Sequence, residues 1–270
     1  GPPQRAHRPA RMTPPEPSQL SGATPTITVV GLGPGNPLLI TEQTKTAIAE
    51  SSSCFLRTAQ HPSAFLVPNA KTFDDIYDTA DRFSDVYEQI ANTLIDAAQV
   101  DGDVLYAVPG SPLVLEHTVE LLQARTEVKC IVHPAISFLD EVWARLEIDP
   151  VNTGVRLIDG HRFATEAAGE RGPLLVAHVH AEWVLSEIRH SIDAGPDDEA
   201  QTALDDLEVI GLTGVGTDEE QIVSTTWAEM EHDITPNHLT SLYIPNLAVP
   251  VGHGYVRFHA LARTLREQCP

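Results

Sequence analysis

The chain has 270 residues, 42% of them hydrophobic, and its 38 acidic against 17 basic side chains leave a formal net charge of −21. That length and apolar content suffice for one large or two modest domains with a real core. The negative balance argues against binding a nucleic-acid backbone or an anionic membrane surface, and no window reaches the ~18 apolar residues of a membrane span.

In chain order, Gly1-Pro2 looks like a protease-cleavage scar, and residues 1–25 are rich in Pro, Arg, Ser and Gln with almost no large apolar side chain. They are expected to form a disordered tail outside the fold. Thr26-Ile27-Thr28-Val29-Val30 then reads as a β-branched strand entering Gly31-Leu32-Gly33-Pro34-Gly35-Asn36-Pro37, with a helical segment over 38–50. A glycine loop behind a first strand suggests dinucleotide binding. Against that, Asn36 stands where a third glycine belongs, and no acidic residue closes the second strand at 53–57. Pro34 and Pro37 also remove amides that a phosphate would use. The loop is expected to pack against a ligand without cradling a phosphate, which disfavours a dinucleotide-dependent oxidoreductase.

Residues 60–81 form a long acidic connection carrying Asp74, Asp75 and Tyr77, a candidate lid that equally suits a solvated loop. The stripe Val86, Tyr87, Ile90, Leu94 and Ile95 predicts an amphipathic helix over 82–99. A strand over 103–108 breaks into Pro109-Gly110-Ser111-Pro112, followed by helical spacing over 113–124. Gly110 lets a backbone approach a ligand that a Cβ would push away, and two prolines hold such a loop in one shape. A strand over 128–132 and a helix over 136–146 complete an alternation that indicates βαβ units and a parallel sheet.

Past Asp149-Pro150 the texture changes to strands at 155–159, 173–179, 207–211 and 221–224, with helices over 182–193 and 225–231. A second α/β domain with a mixed sheet fits, the acidic stretch 193–206 being a surface excursion. His178 and His180 stand two apart on an expected strand, hence on one face, and His161 could join them. Three imidazoles without a carboxylate or cysteine at fixed spacing, in a chain holding 12 histidines, do not define a ligand set, and no metal is expected. Cys54, Cys130 and Cys269 are scattered, as in a reduced, cytoplasmic chain with ordinary thiols.

The glycine loop, the Pro-Gly-Ser-Pro loop and Val132-His133-Pro134-Ala135-Ile136-Ser137-Phe138-Leu139, taken together, resemble the tetrapyrrole methylase family of methyltransferases. One branch is closer still: the methylase-like domain fused ahead of MazG-type nucleoside triphosphate pyrophosphohydrolases. Phe55-Leu56-Arg57-Thr58 with His61-Pro62, Phe73-Asp74-Asp75-Ile76-Tyr77, Val86-Tyr87, Ser137-Phe138-Leu139-Asp140 and Leu239-Thr240-Ser241-Leu242-Tyr243-Ile244-Pro245 are similar to it. The resemblance implies an α/β, two-domain tetrapyrrole methylase-like fold. A parallel-sheet domain over 26–148 and a mixed-sheet domain over 149–247 would flank a cleft. Residues 248–270 would be a linker and the start of a truncated MazG-like domain, with Leu265-Arg266 followed by Cys269-Pro270.

The resemblance further implies the cofactor S-adenosyl-L-methionine, a small-molecule methyl acceptor and a homodimer. Its contacts carry over to Pro34 in the first loop, to Gly110, Ser111, Pro112 and Leu115 around the second, and to Ser137 and Phe138 after the fourth strand. Val179, Gly216 and Thr217 would contribute from the second domain. Ser111 departs from the family's Asp, which removes a carboxylate near the cationic donor. Methyl transfer from a sulfonium needs donor and acceptor held in line, with no metal and no covalent nucleophile. A chain without a Gly-x-Ser-x-Gly elbow or a His-Glu-x-x-His helix suits that need. A base for an N–H or O–H acceptor would come from Tyr106, His117, Asp140 or His161 near the expected mouth, each of which also suits a structural hydrogen bond. The alternative to an enzyme is a silent S-adenosylmethionine- or nucleotide-binding module that regulates an attached pyrophosphohydrolase.

Overall fold

In the computed structural model residues 22–79, 83–192 and 198–247 are described. Residues 1–21 of the tail expected over 1–25, and the expected MazG-like start at 248–270, lie outside the described residues, while the Pro25 carbonyl accepts from the Lys129 N–H at 2.8 Å.

The first half runs β1 (Thr26–Gly31), α1 (Glu42–Glu50), β2 (Cys54–Leu56), β3 (Lys71–Thr72), α2 (Asp74–Thr79), α3 (Phe83–Asp101), β4 (Asp103–Val108), α4 (His117–Gln123) and β5 (Lys129–Val132). Its five strands pair in the order β3-β2-β4-β1-β5, every pair parallel. Side chains alternate across each strand. Ile27, Val29, Val104, Tyr106 and Val108 therefore face α3 and α4 in one core, while Val30, Leu105 and Ala107 face α1 in the other. Buried on both sides, such strands read as near-continuous apolar runs, and each fully buried aliphatic side chain contributes about 1.5–3 kcal/mol.

After β5 the chain enters α5 (Phe138–Leu146) through a capping box. The Ser137 hydroxyl accepts from the Leu139 N–H and the Asp140 carboxylate from the Ser137 N–H. The apolar stripe of α5 packs on the other sheet, where Val142 meets Leu175, Leu212 and Tyr243. A helix read by sequence as the end of the first domain thus ties the two sheets together.

The second half continues α6 (Pro150–Thr153), β6 (Arg156–Asp159), α7 (Phe163–Glu166), β7 (Leu174–Ala177), α8 (Glu182–His190), α9 (Asp198–Asp205), β8 (Glu208–Thr213), β9 (Gln221–Thr226), α10 (Met230–Asp233) and β10 (Thr240–Ile244). Its sheet has the order β6-β7-β10-β8-β9, with β6–β7 parallel and the other pairs antiparallel. Parallel plus mixed sheets match the expected fold class.

Several local expectations are corrected. The helix expected over 113–124 begins only at His117, because Leu115 takes a left-handed φ of 60° that no helix continues through. The connection 60–81 is no bare loop: it holds a 3-10 turn, edge strand β3 and α2, and Phe73 stacks on Phe55 with centroids 5.6 Å apart. The acidic stretch 193–206 contains α9, anchored by buried Ala200 and Leu204. Instead of a helix over 225–231, β9 runs to Thr226 and only α10 follows. The motif Leu239–Pro245 supplies β10, the central strand of the second sheet.

Candidate functional site

β1 and β4 are neighbours, yet their connections leave toward opposite faces. The chain after β1 passes through α1 on one side of the sheet, and the chain after β4 passes through α4 on the other. This is a topological switch point, where the carboxyl ends of two strands open a crevice. The two loops that form it are zipped together. The Gly110 N–H donates to the Gly33 carbonyl at 2.8 Å, and the Gly33 N–H donates back at 3.2 Å. Gly31 permits that approach, since a Cβ there would overlap the Gly110 carbonyl oxygen and stand 3.0 Å from Pro112 Cδ. Gly110 has φ +62°, and the nearest atom in the direction of its missing Cβ is Ser137 Cα at 4.0 Å. Space beside a bare backbone is therefore left open at this loop.

Neighbouring segments brace the crevice. His61 Nε2 lies 2.9 Å from the Gly33 carbonyl and the buried Ser63 hydroxyl donates to the Gly35 carbonyl at 3.4 Å, so the segment that suited a lid or a solvated loop equally is fastened to the first loop. Burial lowers the His61 pKa despite that hydrogen bond. A neutral ring donating through Nε2 fits. From the second sheet, the loop after β8 reaches over. The Thr217 methyl carbon stands 2.9 Å from where a Gly35 Cβ would be, and the Gly216 N–H donates to Glu220 at 2.7 Å. Glu220 is paired in turn with Arg145 at 2.9 Å.

Of the expected cofactor residues, the structure brings the loop of Pro34, Gly110 and Ser137 together, with Gly216 and Thr217 meeting the first loop from the second half of the chain. Ser111 is partly buried, Leu115 is exposed at the rim, and Pro112 is buried beneath the loop. Phe138 packs into the α5 core. Val179 is fully buried in the second core and its N–H is taken by the Thr240 carbonyl, so its side chain is not on the cleft surface.

The expected bases do not converge. Tyr106 is fully buried in the first core rather than at the mouth, because β4 turns its side chain toward α3. His117 pairs with Glu120 at 2.8 Å on the surface of α4. Asp140 is committed to the α5 cap, and His161 belongs to the second sheet.

One cluster was not read from the sequence, and a second was read only as three histidines without their carboxylate. Arg57, at the end of β2, forms an ion pair with Glu116 and donates to the Tyr77 hydroxyl at 3.2 Å. The Glu116 side chain is only 4% exposed, and burial pushes its carboxyl up to about 7 against the pull of Arg57. Burial also opposes the charge on Arg57, but Glu116 and Tyr77 outweigh it and keep the guanidinium protonated. The one sequence signal was a carboxylate directly after the apolar run Leu113-Val114-Leu115.

The second cluster lies where β6 and β7 end. Asp159 accepts from the His161 ring at 2.9 Å and from the His178 ring at 2.8 Å, and His161 Nε2 meets His180 Nε2 at 2.9 Å. Burial raises the Asp159 pKa, but these hydrogen bonds prevail and hold it below the usual carboxylate range. His178 and His180 do not share a strand face as expected. β7 stops at Ala177, and His178 has φ +59°.

The family model for Tetrapyrrole (Corrin/Porphyrin) Methylases matches residues 26–231. The uncharacterized protein YabN of Bacillus subtilis (strain 168) is 33% identical over 255 residues, covering 90% of this chain and 50% of that protein. The chain thus spans about half the length of that curated relative. Uroporphyrin-III C-methyl transferase from Thermus thermophilus, complexed with S-adenyl homocysteine, superposes with a TM-score of 0.58 at 17% identity, over 80% of this chain and 95% of that one. Precorrin-6Y methylase from Archaeoglobus fulgidus gives 0.59 at 17% identity, over 83% and 99%. A diphthine synthase gives 0.58 at 16%, over 88% and 95%. At such identities the likeness is one of fold.

Proposed function

From the premise that the chain belongs to the tetrapyrrole methylase family, we propose that it binds S-adenosylmethionine at the switch-point crevice and transfers the methyl group to a small-molecule acceptor. The observation that carries this reading is the Gly33–Gly110 zipper, which presents an open, Cβ-free backbone at the carboxyl ends of β1 and β4. The residues present fit such a cofactor. Gly110, Ser111 and Ser137 would offer backbone and hydroxyl groups, Leu115 an apolar rim, and Gly216–Thr217 the far wall. When bound, the sulfonium supplies the electrophilic methyl. The chain's part is to hold the donor in line with the acceptor and to exclude water.

The acceptor is proposed to carry few carboxylates. The overall charge is −21, and Arg57 and Arg145, cations near the crevice, already pair with Glu116 and with Glu141 and Glu220. A homodimer working in the cytoplasm completes the proposal.

A second reading is a module that binds S-adenosylmethionine without turnover beside a MazG-type pyrophosphohydrolase. Ser111, standing where the family places Asp, and the half-length match to YabN favour it. Ultraviolet crosslinking with methyl-labelled S-adenosylmethionine tests the shared core of both readings. Label in the peptide carrying Gly110 and Ser111, displaced by unlabelled S-adenosylhomocysteine, is the expected result. Label elsewhere, or none, would sink the assignment. Methylated product from a metabolite extract would then separate enzyme from silent module.

A further inference from the structure

We propose that Asp159, His161 and His178 bind a divalent transition-metal ion, with His180 as the outer partner of His161. The proposal stands apart from the methyl-transfer reading and does not need it. Sequence spacing spoke against a metal because it offered three imidazoles and no carboxylate; the fold supplies the carboxylate. β6 and β7 run parallel with Asp159 opposite Ala177, so the residues that follow both strands emerge side by side.

Gly160 makes the approach possible. A Cβ there would lie 3.0 Å from the Ala177 carbonyl oxygen and 3.3 Å from that of His178. His178 itself holds φ +59°, a conformation that costs a non-glycine residue about 1–2 kcal/mol and persists where the surroundings demand it. The result is that one ligand atom from each of Asp159, His161 and His178 falls within 4.8 Å of the others.

These separations suit a metal polyhedron. Bonds of about 2.0–2.2 Å from imidazole nitrogen and carboxylate oxygen place adjacent donors roughly 3 Å apart. The 2.9 Å and 2.8 Å contacts of Asp159 with the Nδ1 atoms of His161 and His178 are already near that edge length. An ion entering between them would take both Nδ1 atoms and the carboxylate, each neutral ring moving its proton from Nδ1 to Nε2. The His161 Nε2–H would then donate to His180 Nε2, 2.9 Å away, with His180 as its Nδ1–H tautomer. A second ring nitrogen donating to a fixed acceptor is how ligating histidines are held in one tautomer. The three ligands are 20–41% exposed, so water and ions reach them, and open coordination positions remain. Two imidazoles and one carboxylate select the zinc, cobalt, nickel and iron(II) class over magnesium or calcium.

Trp183 provides a reporter. It is half-exposed, and its ring centroid lies 5.7 Å from those of His161 and of His180. The chain, freed of metal by chelator, would be titrated with Zn2+ and with Co2+ alone, following calorimetric heat, tryptophan fluorescence and cobalt absorption. One equivalent should bind with micromolar or tighter affinity, and Co2+ should quench the emission. Trp183→Phe should abolish the quenching but not the heat. Asp159→Asn and His178→Gln should each weaken binding by 100-fold or more, and His180→Ala by about 10-fold. His161→Ala, at a more exposed position, provides a ligand variant if the others fail to fold. Zn2+ binding that is absent, or unchanged in folded His161→Ala and His178→Gln, overturns the site. Neither result touches S-adenosylmethionine binding, which would be measured in the same samples.

Discussion

At Gly31 one added methyl group would strike the Gly110 carbonyl oxygen and lie 2.5 Å from the Ala135 Cβ, both parts of rigid surroundings. Gly31→Ala should therefore cost about 3 kcal/mol of stability. Gly110→Ala meets no atom closer than 4.0 Å and carries only the left-handed penalty of about 1–2 kcal/mol. Urea unfolding of the two variants checks this; equal shifts in midpoint would contradict the zipper. Glu116 carries a pH signature. Its folded pKa of about 7 lies above the usual 4.5, so the fold prefers the protonated carboxyl. That preference is fully present below about 4.5 and is lost as pH rises through 7, a change of roughly 3 kcal/mol. Glu116→Gln keeps a hydrogen-bonding partner for Arg57 and should flatten the decline of melting temperature between about pH 5 and pH 8. An unchanged pH profile would show that the carboxylate ionises as it does in water.

α5 is the element on which the two sheets depend, since it follows β5 of one and buries Val142 against Leu175 and Leu212 of the other. Ser137→Ala removes its N-cap and should destabilise the chain by about 1 kcal/mol, read from the urea midpoint. Loss of nothing would mean that the Asp140 half of the box suffices. The elements of the first half were legible because strands covered on both faces read as apolar runs separated by amphipathic helices such as α3. β10 was not legible as a strand: Thr240 and Ser241 look like loop residues, but both are buried, and Thr240 is satisfied by a 2.9 Å hydroxyl contact with Thr213 across β8. The start of α4 was misplaced because the apolar spacing of Leu113–Leu122 continues through Leu115, where only backbone geometry reveals the break. Of the site, the glycine loops could be read as ligand-facing from their composition. Glu116 beside Arg57, and Asp159 beside His178, could not, because pairs of residues 59 and 19 positions apart meet only through strand order.

At the scale of the whole molecule, two sheets meet through α5 and through Thr217 against Gly35. No helix among the described residues is long and apolar enough to cross a membrane. The charge of −21 should favour a cationic ligand at long range. Affinity for S-adenosylmethionine, whose sulfonium is positive, should accordingly fall more between 0.01 M and 1 M salt than affinity for neutral S-adenosylhomocysteine, as screening shortens from about 30 Å to 3 Å. Parallel salt dependences would show that the surface field does not reach the crevice. The most direct test of the account is calorimetric titration of the chain with S-adenosylhomocysteine, repeated on Gly110→Trp with folding verified by circular dichroism. Micromolar binding, roughly −8 kcal/mol, that weakens by ~100-fold or more in the variant is the predicted result. Equal binding by the two proteins would move the cofactor away from the Gly33–Gly110 zipper, and no binding by the wild-type chain would contradict the assignment outright.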